Sequence, residues 1–429
     1  MIVAKKRILV FPCGSEVALE IYRSLKYSAH FELIGASSVD DHGRFVFENY
    51  HGGLPYHYAS DFISTLRTLV RELQIDAIYP AMDAVASTLA KNVEELGCKV
   101  IGSSASVSSL CASKQLIYEA LKDIVKCPTW TTDLTNSSDF PIFMKPDVGY
   151  GSRHAYKIEN IEEAQQVLMK NPQVKFLFCE YLPGREFTID CFSDKHGELL
   201  FSGARVRERI SNGISVRTIS TNKHSNAFKR AAEAINASLN PRGAWFFQMK
   251  ENADGEPVLL EVAARLGGSS SYFRAKGVNF ALLSAFDTFD IPVSVSSNSY
   301  DVILDRALGS SYLINMNYSK AYIDFDDCLL INGQVNLMLV QFLFQCLNRK
   351  ISLTLITRHE FDIHESLTQL RLNAIFDEVI HLKNGEKKSD FIDSANAIFI
   401  DDSHRERKDV QETHGIPVFS PDMVEVLIG

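Results

Sequence analysis

The sequence predicts a multidomain α/β and α+β protein, with a parallel α/β domain at each end and an antiparallel α+β domain between them. Three observations predict this. Over residues 7–102, β-branched and aromatic runs alternate with amphipathic stretches of about 10 to 15 residues, the pattern of βαβ units. From Ser113 to Ala264 strands follow one another around short turns. Beyond Ala321 the strand–helix alternation returns. A chain of 429 residues exceeds what one core holds. The expected domains are 1–111, 112–318 and 319–429.

Composition narrows the function. The chain carries 44 Lys and Arg against 53 Asp and Glu, a formal net charge of −9. An acidic balance argues against nucleic-acid partners, whose binding draws on neutralised phosphates. The longest apolar stretch, Val335–Leu347, is interrupted by Asn336, Gln341 and Gln345, so no membrane span is expected. No signal peptide is expected after Lys5-Lys6-Arg7. Eight scattered cysteines form no Cys-x-x-Cys, which points to a reducing, cytoplasmic setting rather than a disulfide framework or zinc site. The sequence leaves association into a homo-oligomer open.

Taken in order, Arg7–Pro12 reads as a strand ending at Cys13-Gly14-Ser15, followed by a helix through Leu25. Strand Phe31–Ala36, helix Asp61–Leu73, strand Ile75–Pro80, helix Val85–Leu96 and strand Lys99–Gly102 continue the alternation. Only Gly14 stands where a dinucleotide fingerprint needs three glycines, so dinucleotide binding is not expected there. The crevice at the strand ends suits a small substrate or one edge of a nucleotide.

In the middle third, Lys114–Ile124 is a helix and Ile142–Met144 a buried strand that delivers Lys145. Pro146 is expected to stop that strand, for want of an N–H. Gly149, Gly151 and Ser152 then make a loop whose backbone can approach a phosphate closely, with Lys145 as a point charge beside it. The loop does not continue as Gly-Lys-Ser/Thr into a helix, so it is not a Walker-type loop. Helix Ile161–Leu168 and strands Phe176–Leu182, Phe187–Phe192 and Leu199–Ala204 follow.

The sharpest geometry is at 245–265. Trp245–Lys250 and Val258–Ala264 flank Asp254-Gly255, a two-residue hairpin signal. That turn places Gln248 opposite Glu261 and puts Glu261, Ala263 and Arg265 on one face. A carbonyl oxygen beside a carboxylate suits Mg²⁺ shared with phosphates, and an arginine suits a developing phosphate charge. Arg205, Arg207, Arg209 and Arg217 cluster nearby, and Arg205 and Arg207 are candidates to hold a substrate carboxylate.

In the last domain, strands Ala321–Phe325, Ser352–Ile356 and Ala397–Ile400 run into Asp324-Phe325-Asp326, Thr357 and Asp401-Asp402. Polar groups just past strand carboxyl ends sit where open α/β sheets place their sites. Lys387 and Lys388 lie between the second and third of them. His51, His57, His359 and His404 read as isolated surface or capping residues.

Two resemblances follow from these motifs. Ala112-Ser113-Lys114, Phe143-Met144-Lys145-Pro146, Gly149-Tyr150-Gly151-Ser152, Glu180-Tyr181-Leu182, Glu186-Phe187-Thr188-Ile189-Asp190, Phe247-Gln248 and Glu261-Val262-Ala263-Ala264-Arg265 make residues 1 to about 318 resemble an ATP-grasp enzyme. The likeness is to the branch of the carbamoyl-phosphate synthetase large subunit and carboxylate–amine ligases, with residues 1–111 as the pre-ATP-grasp domain. It implies ATP and Mg²⁺ (or Mn²⁺ in its place) as cofactors, and a small carboxylate and an amine-type nucleophile as substrates. Lys114 and Lys145 would hold the phosphates, and Gly149, Gly151 and Ser152 would close over them within a lid, Asp147–Arg153. Glu180, Tyr181 and Leu182 would read the adenine and Glu186 the ribose. Gln248 and Glu261 would bind the metal, and Arg265 would face the transferred phosphate. Ala263 stands where such enzymes usually carry Asn, and His154 where a glycine is common.

Residues from about 319 resemble a capless, Rossmann-like domain of the haloacid dehalogenase (HAD) superfamily. The resemblance makes Asp324 the nucleophile and Asp326 the general acid/base. Thr357 and Lys388, with Lys387 as its competitor, would bind phosphate. Asp401, with Asp402 beside it, would complete a Mg²⁺ site with Asp324 and Asp326, and a phosphorylated metabolite would be the substrate. Cys328 replaces a more usual threonine. A nucleotide-binding regulator without turnover, or a ligase with a non-catalytic C-terminal module, is the alternative.

Overall fold

The computed structural model describes residues 5–136, 140–149, 151, 153–211, 213–312 and 314–428. The chain divides into two compact units, Met1–Leu308 and Gly309–Gly429. The expected divide near residue 111 falls inside the first unit. Helix Phe280–Thr288 buries Phe280, Ala281 and Ala285 in one cluster with Ile8, Val10 and Tyr79 of the N-terminal sheet. Apolar area shared in this way makes the two segments one body.

The first sheet is parallel, in the order Tyr50–His51, Phe31–Ala36, Lys6–Phe11, Ala77–Pro80, Lys99–Val100. Strand order reverses between Lys6–Phe11 and Ala77–Pro80, so their carboxyl ends open the crevice that such a reversal creates. The expected helix Val85–Leu96 is broken into Asp83–Lys91 and Val93–Leu96. At the break the Asn92 side chain takes the Thr88 carbonyl (2.8 Å), while its own N–H turns to Leu89. A side-chain amide competing for a helical carbonyl ends the helix there.

Two antiparallel sheets follow. The smaller has the order Trp130–Thr131, Phe176–Glu180, Ile142–Pro146, Tyr156–Ile158. Contrary to expectation, Pro146 continues its strand. It stands opposite Phe176, while the neighbouring Asp147 N–H makes the ladder bond to Lys175. The other neighbouring strand pairs only as far as Met144, so the ladder never asks Pro146 for a hydrogen. The larger sheet runs Pro257–Ala263, Gly243–Glu251, Glu186–Ser193, Leu199–Ser211, Ile214–Ser220, Ile303–Asp305. Leu199–Ser211 is much longer than the expected Leu199–Ala204, because Ile214–Ser220 returns alongside it.

The hairpin at 243–263 reaches the expected pairing by an unexpected route. Gln248 does face Glu261, but Glu251 faces Pro257 and Asn252 N–H bonds within the loop side at Glu256. The loop is therefore one residue longer than Asp254-Gly255. A β-bulge between Gln248 and Met249, opposite Leu260, restores the register.

In the second unit the sheet is parallel, in the order Glu378–His381, Ser352–Thr357, Lys320–Ile323, Ala397–Ile400, Val418–Phe419. The first strand in sequence lies in the middle, and helix Leu337–Asn348 packs Leu339, Phe342, Leu343 and Cys346 beneath it. No helix among the described residues is long and apolar enough to cross a membrane.

Asp147 joins the smaller sheet to the start of helix Lys114–Leu121. Its carboxylate accepts from Ser113 Oγ (2.7 Å), Gln115 N (2.9 Å) and Lys175 Nζ (3.2 Å), and its carbonyl accepts from Lys114 N (3.1 Å). Burial opposes the charge, yet these donors hold the carboxyl below its ordinary value. Hydrogen bonds to a charged group are worth about 1.5–3 kcal/mol, so Asp147→Ala is expected to lower the unfolding free energy of the first unit, read from urea denaturation, by about that amount. A depressed folded value makes the contribution full above the unfolded carboxyl's, about 3.9, and lost as pH falls through the folded one. The difference between wild type and variant should therefore narrow with acidification below about pH 4.

Candidate active sites

A cleft opens between the two antiparallel sheets. It is lined by Lys114, Lys145, Gly149, Gly151, Glu180, Tyr181, Leu182, Glu186, Arg207, Gln248 and Glu261, among others. These residues come from stretches up to 147 positions apart in sequence (114 to 261). Ser152 lies outside the described residues.

The larger sheet supplies its side of the cleft in rows. Residues directly paired across antiparallel strands project to the same face. One row is Arg207, Glu186 and Lys250, and the next is Arg205, Thr188, Gln248 and Glu261. In the first row Arg207 Nε sits 2.7 Å from a Glu186 carboxylate oxygen, and Arg207 Nη2 donates to Gly213 O (2.8 Å). In the second, Gln248 and Glu261 are half-buried and side by side, a carbonyl and a carboxylate oxygen directed the same way. Oxygen donors of this kind fit Mg²⁺. Thr188 lies beside Gln248 with its hydroxyl buried and, among the described residues, without a hydrogen-bond partner.

Lys145 comes from the smaller sheet and is buried. Its ammonium donates to Tyr118 Oη (2.6 Å) and to Leu260 O (3.3 Å), and Tyr118 in turn donates to Leu260 O (2.6 Å). Leu260 is the residue at the bulge, so the register correction is what frees its carbonyl for this pair. Burial, with Lys114 adding to it, lowers the Lys145 ammonium below its usual range. An approaching polyanion would reverse that effect. Sequence reading missed Tyr118. The signal is its position four residues after Lys114 on one helix face.

Lys114 Nζ reaches Gly149 O (3.3 Å), tying the helix start to the glycine loop. Asp147 is anchored as described above, so a movable lid can begin only after it, not at Asp147 as expected. The Glu180 carboxylate accepts from Thr129 N (3.1 Å), and the Glu180 N–H donates to Thr129 O (3.0 Å). Tyr181 stands between two cations, with Lys157 Nζ 4.7 Å and Lys250 Nζ 5.8 Å from its ring centroid.

Two predicted residues lie away from the cleft lining. Arg205 is 1% exposed. Its Nε and Nη2 go to Asp190 (2.6 and 3.4 Å), and its Nη1 goes to Ser269 Oγ (2.9 Å). Its whole fork is occupied, whereas Arg207 reaches the cleft. Arg265 follows the end of its strand, pairs with Asp83 (2.8 Å) and lies over the Phe246 ring (5.4 Å to the centroid). Ala263 is buried opposite Phe246 and offers no ligand atom.

In the second unit the strand ends converge on one lysine. Lys388 Nζ lies 2.6 Å from both Asp324 Oδ1 and Asp401 Oδ2, and all three side chains are at least nine-tenths buried. Asp324, Asp401 and Asp402 offer carboxylate oxygens within 4.8 Å of one another. Burial, with Asp401 alongside, pushes the Asp324 carboxyl up despite Lys388. Burial opposes the Lys388 charge, but Asp324 and Asp401 hold its ammonium above the ordinary value. Three carboxylates around one ammonium leave negative charge in excess, and this all-oxygen set fits a divalent cation such as Mg²⁺. Lys387, the competing candidate, is on the surface against Asp409 (2.8 Å). Thr357 is buried, and its hydroxyl accepts from His359 N (3.1 Å). Asp326 is half exposed and bonded to His359 (2.9 and 3.0 Å). That histidine had read as isolated; its partner is 33 residues away and invisible to local pattern.

Residues 173–301 match the protein-family model described as "ATP-grasp in the biosynthetic pathway with Ter operon". No curated protein matches the chain. Among solved structures, the chain is similar to the biotin carboxylase domain of Hydrogenobacter thermophilus 2-oxoglutarate carboxylase, in complex with MgADP, ADP and bicarbonate. The identity is 16% over 68% of this chain and 71% of that one, with a TM-score of 0.59. It is also similar to Staphylococcus aureus N5-carboxyaminoimidazole synthetase complexed with ADP (14%, 72% and 83%, TM-score 0.60). A third likeness is to the L-amino acid ligase of Bacillus licheniformis (18%, 66% and 74%, TM-score 0.55). At these identities the likeness is one of fold. The family match is confined to 173–301, and the chain shares the fold of these structures.

Proposed function

We propose that the first unit is an ATP- and Mg²⁺-dependent ligase, and that the second is a HAD-type phosphohydrolase working on a phosphorylated metabolite. The ligase would join a small carboxylate to an amine or similar nucleophile. The observation that carries the first reading is the gathering of Lys114, Lys145, Glu186, Gln248 and Glu261 around one cleft. The structures of similar fold include a biotin carboxylase domain, a synthetase and a ligase, the first two in crystals with ADP. The eight free cysteines suit a reducing cytoplasm.

A carboxylate has no leaving group until it is phosphorylated. In the first step its oxygen attacks the γ-phosphorus, the bond to the β,γ-bridging oxygen breaks, and ADP departs. In the second the nucleophile attacks the acyl carbon and phosphate leaves. Mg²⁺ would neutralise the phosphate oxygens. Gln248 and Glu261 would hold it, while Lys114 and Lys145 hold the phosphates. Backbone groups of Glu180–Leu182 would read the base and Glu186 the ribose, with Arg207 fixing the Glu186 carboxylate. Arg265 would swing from Asp83 towards the transferred phosphate. Arg205 would act from beneath, keeping the sheet and the Gly267–Ser270 loop together.

In the second unit, Asp324 would attack phosphorus while Lys388 and the cation screen the repulsion, and Thr357 would bind the phosphate. The resulting acyl phosphate is then hydrolysed, with Asp326 moving protons. The carrying observation is the Asp324–Lys388–Asp401 triad at 2.6 Å on each side.

ADP formation stimulated by a carboxylate–amine pair is expected, and Lys145→Ala or Glu261→Ala should lower it at least about 100-fold, the scale of losing a main electrostatic group. ADP binding by calorimetry with no turnover across a broad substrate panel would instead favour a nucleotide-binding regulator. Mg²⁺-dependent phosphate release from p-nitrophenyl phosphate should vanish in Asp324→Asn and persist in Lys387→Ala. Chelating the metal should stop it, and release that survives chelation argues against the second reading.

A further inference from the structure

Resting on the phosphohydrolase reading of the second unit, we propose that His359 is the positioning residue that aims the Asp326 carboxyl at the leaving group. Asp326 follows the strand Lys320–Ile323 and is 49% exposed, so nothing in its packing fixes its rotamer. His359, whose side chain is 9% exposed, lies across from it, with Nδ1 at 2.9 and 3.0 Å from the two carboxylate oxygens.

Every polar group of His359 is occupied. Its N–H donates to Thr357 Oγ1 (3.1 Å) and its carbonyl accepts from His381 Nε2 (2.7 Å). Nε2 faces Ser366 Oγ at 2.9 Å. The ring packs edge-on against Phe325 (4.8 Å between centroids) and Phe361 (5.6 Å). A ring locked on four sides is a fixed point from which a half-exposed carboxyl can be held. A carboxylate only accepts, so the Nδ1 position carries the proton, while Ser366 Oγ, which can donate or accept, meets Nε2.

The chemistry makes this contact useful. As the Asp324 oxygen bonds to phosphorus, the bond to the leaving oxygen breaks, and Asp326 gives that oxygen its proton. Water then attacks phosphorus, Asp326 takes one of its protons, and Asp324 is released with inorganic phosphate. Both transfers need the carboxyl at one place, first as acid and then as base. Nδ1 faces both Asp326 oxygens almost equally, so either can carry the proton while the other accepts from Nδ1. Ser366, on the helix Ile363–Gln369, completes a line of Asp326, His359 and Ser366 that orients and does not react.

The test uses the full chain with Mg²⁺ and two esters, p-nitrophenyl phosphate, whose leaving group needs little protonation, and glycerol 2-phosphate, whose leaving alkoxide needs it fully. His359→Ala is expected to lower kcat/KM, which reports the first transfer alone, by about 30- to 100-fold on glycerol 2-phosphate, up to the lower end of general acid–base effects, and by less than about threefold on p-nitrophenyl phosphate. His359→Asn, whose amide can donate from near the Nδ1 position, should recover most of the loss. Equal losses on both esters, or none, overturn the positioning role. A measurement free of turnover stands beside this. The ¹⁵N spectrum of metal-free protein should show His359 protonated at Nδ1, and a ring without that proton overturns the proposal even if the phosphatase works. Wild type releasing phosphate from neither ester, or release surviving in Asp324→Asn, overturns the phosphohydrolase reading itself.

Discussion

The first unit depends on keeping one ammonium buried. Lys145 lies where two antiparallel sheets meet, and its charge is desolvated there. Holding it there takes a strand that runs through a proline, a tyrosine from the helix beneath, and a carbonyl released by a bulge. Each part is tied to another. Tyr118 hydrogen-bonds the same carbonyl that Lys145 does, and Asp147, two residues beyond Lys145, pins the start of the helix that carries Tyr118. A buried cation whose hydrogen-bond partners are neutral is under-compensated.

The second unit solves the opposite problem. Asp324 and Asp401 are buried acids brought against one lysine, with a third carboxylate at the rim. The positive charge is too small for the negative, so the site favours a cation. The parallel sheet achieves this by placing the first strand between the second and the fourth, which brings distant strand ends together. Both units thus gather charge at strand ends, a buried ammonium in one and crowded carboxylates in the other.

Buried ion pairs around these sites act as structure. The Arg205–Asp190 pair is almost fully dry, and breaking a pair of that kind leaves a charge without water or partner. It closes the larger sheet against the loop that begins after Arg265. The neighbouring Arg207, two residues on and so on the same face, reaches the cleft. Two arginines of like pattern therefore divide into a fastening and a lining residue.

Local sequence determined the elements and much of the cleft. Alternation and turn residues set the strands Phe31–Ala36 and Ala397–Ile400, and the Asp254-Gly255 signal located the hairpin that pairs Gln248 with Glu261. Period and turn chemistry are short-range physics, and a single chain displays them. Tertiary structure decided the rest. The hairpin's register came from a longer loop and a compensating bulge, which only the partner strand can reveal. Lys388 rather than Lys387 entered its site because the short 3-10 turn Lys388–Phe391 buries its first residue while Lys387 turns out to Asp409, and Arg205 was separated from Arg207 by what lay above each. His359 and Tyr118 gained their meaning from partners 33 and 27 residues away, Asp326 and Lys145. A hydrogen bond between groups so far apart along the chain leaves no periodic trace, because it depends on where folding puts them.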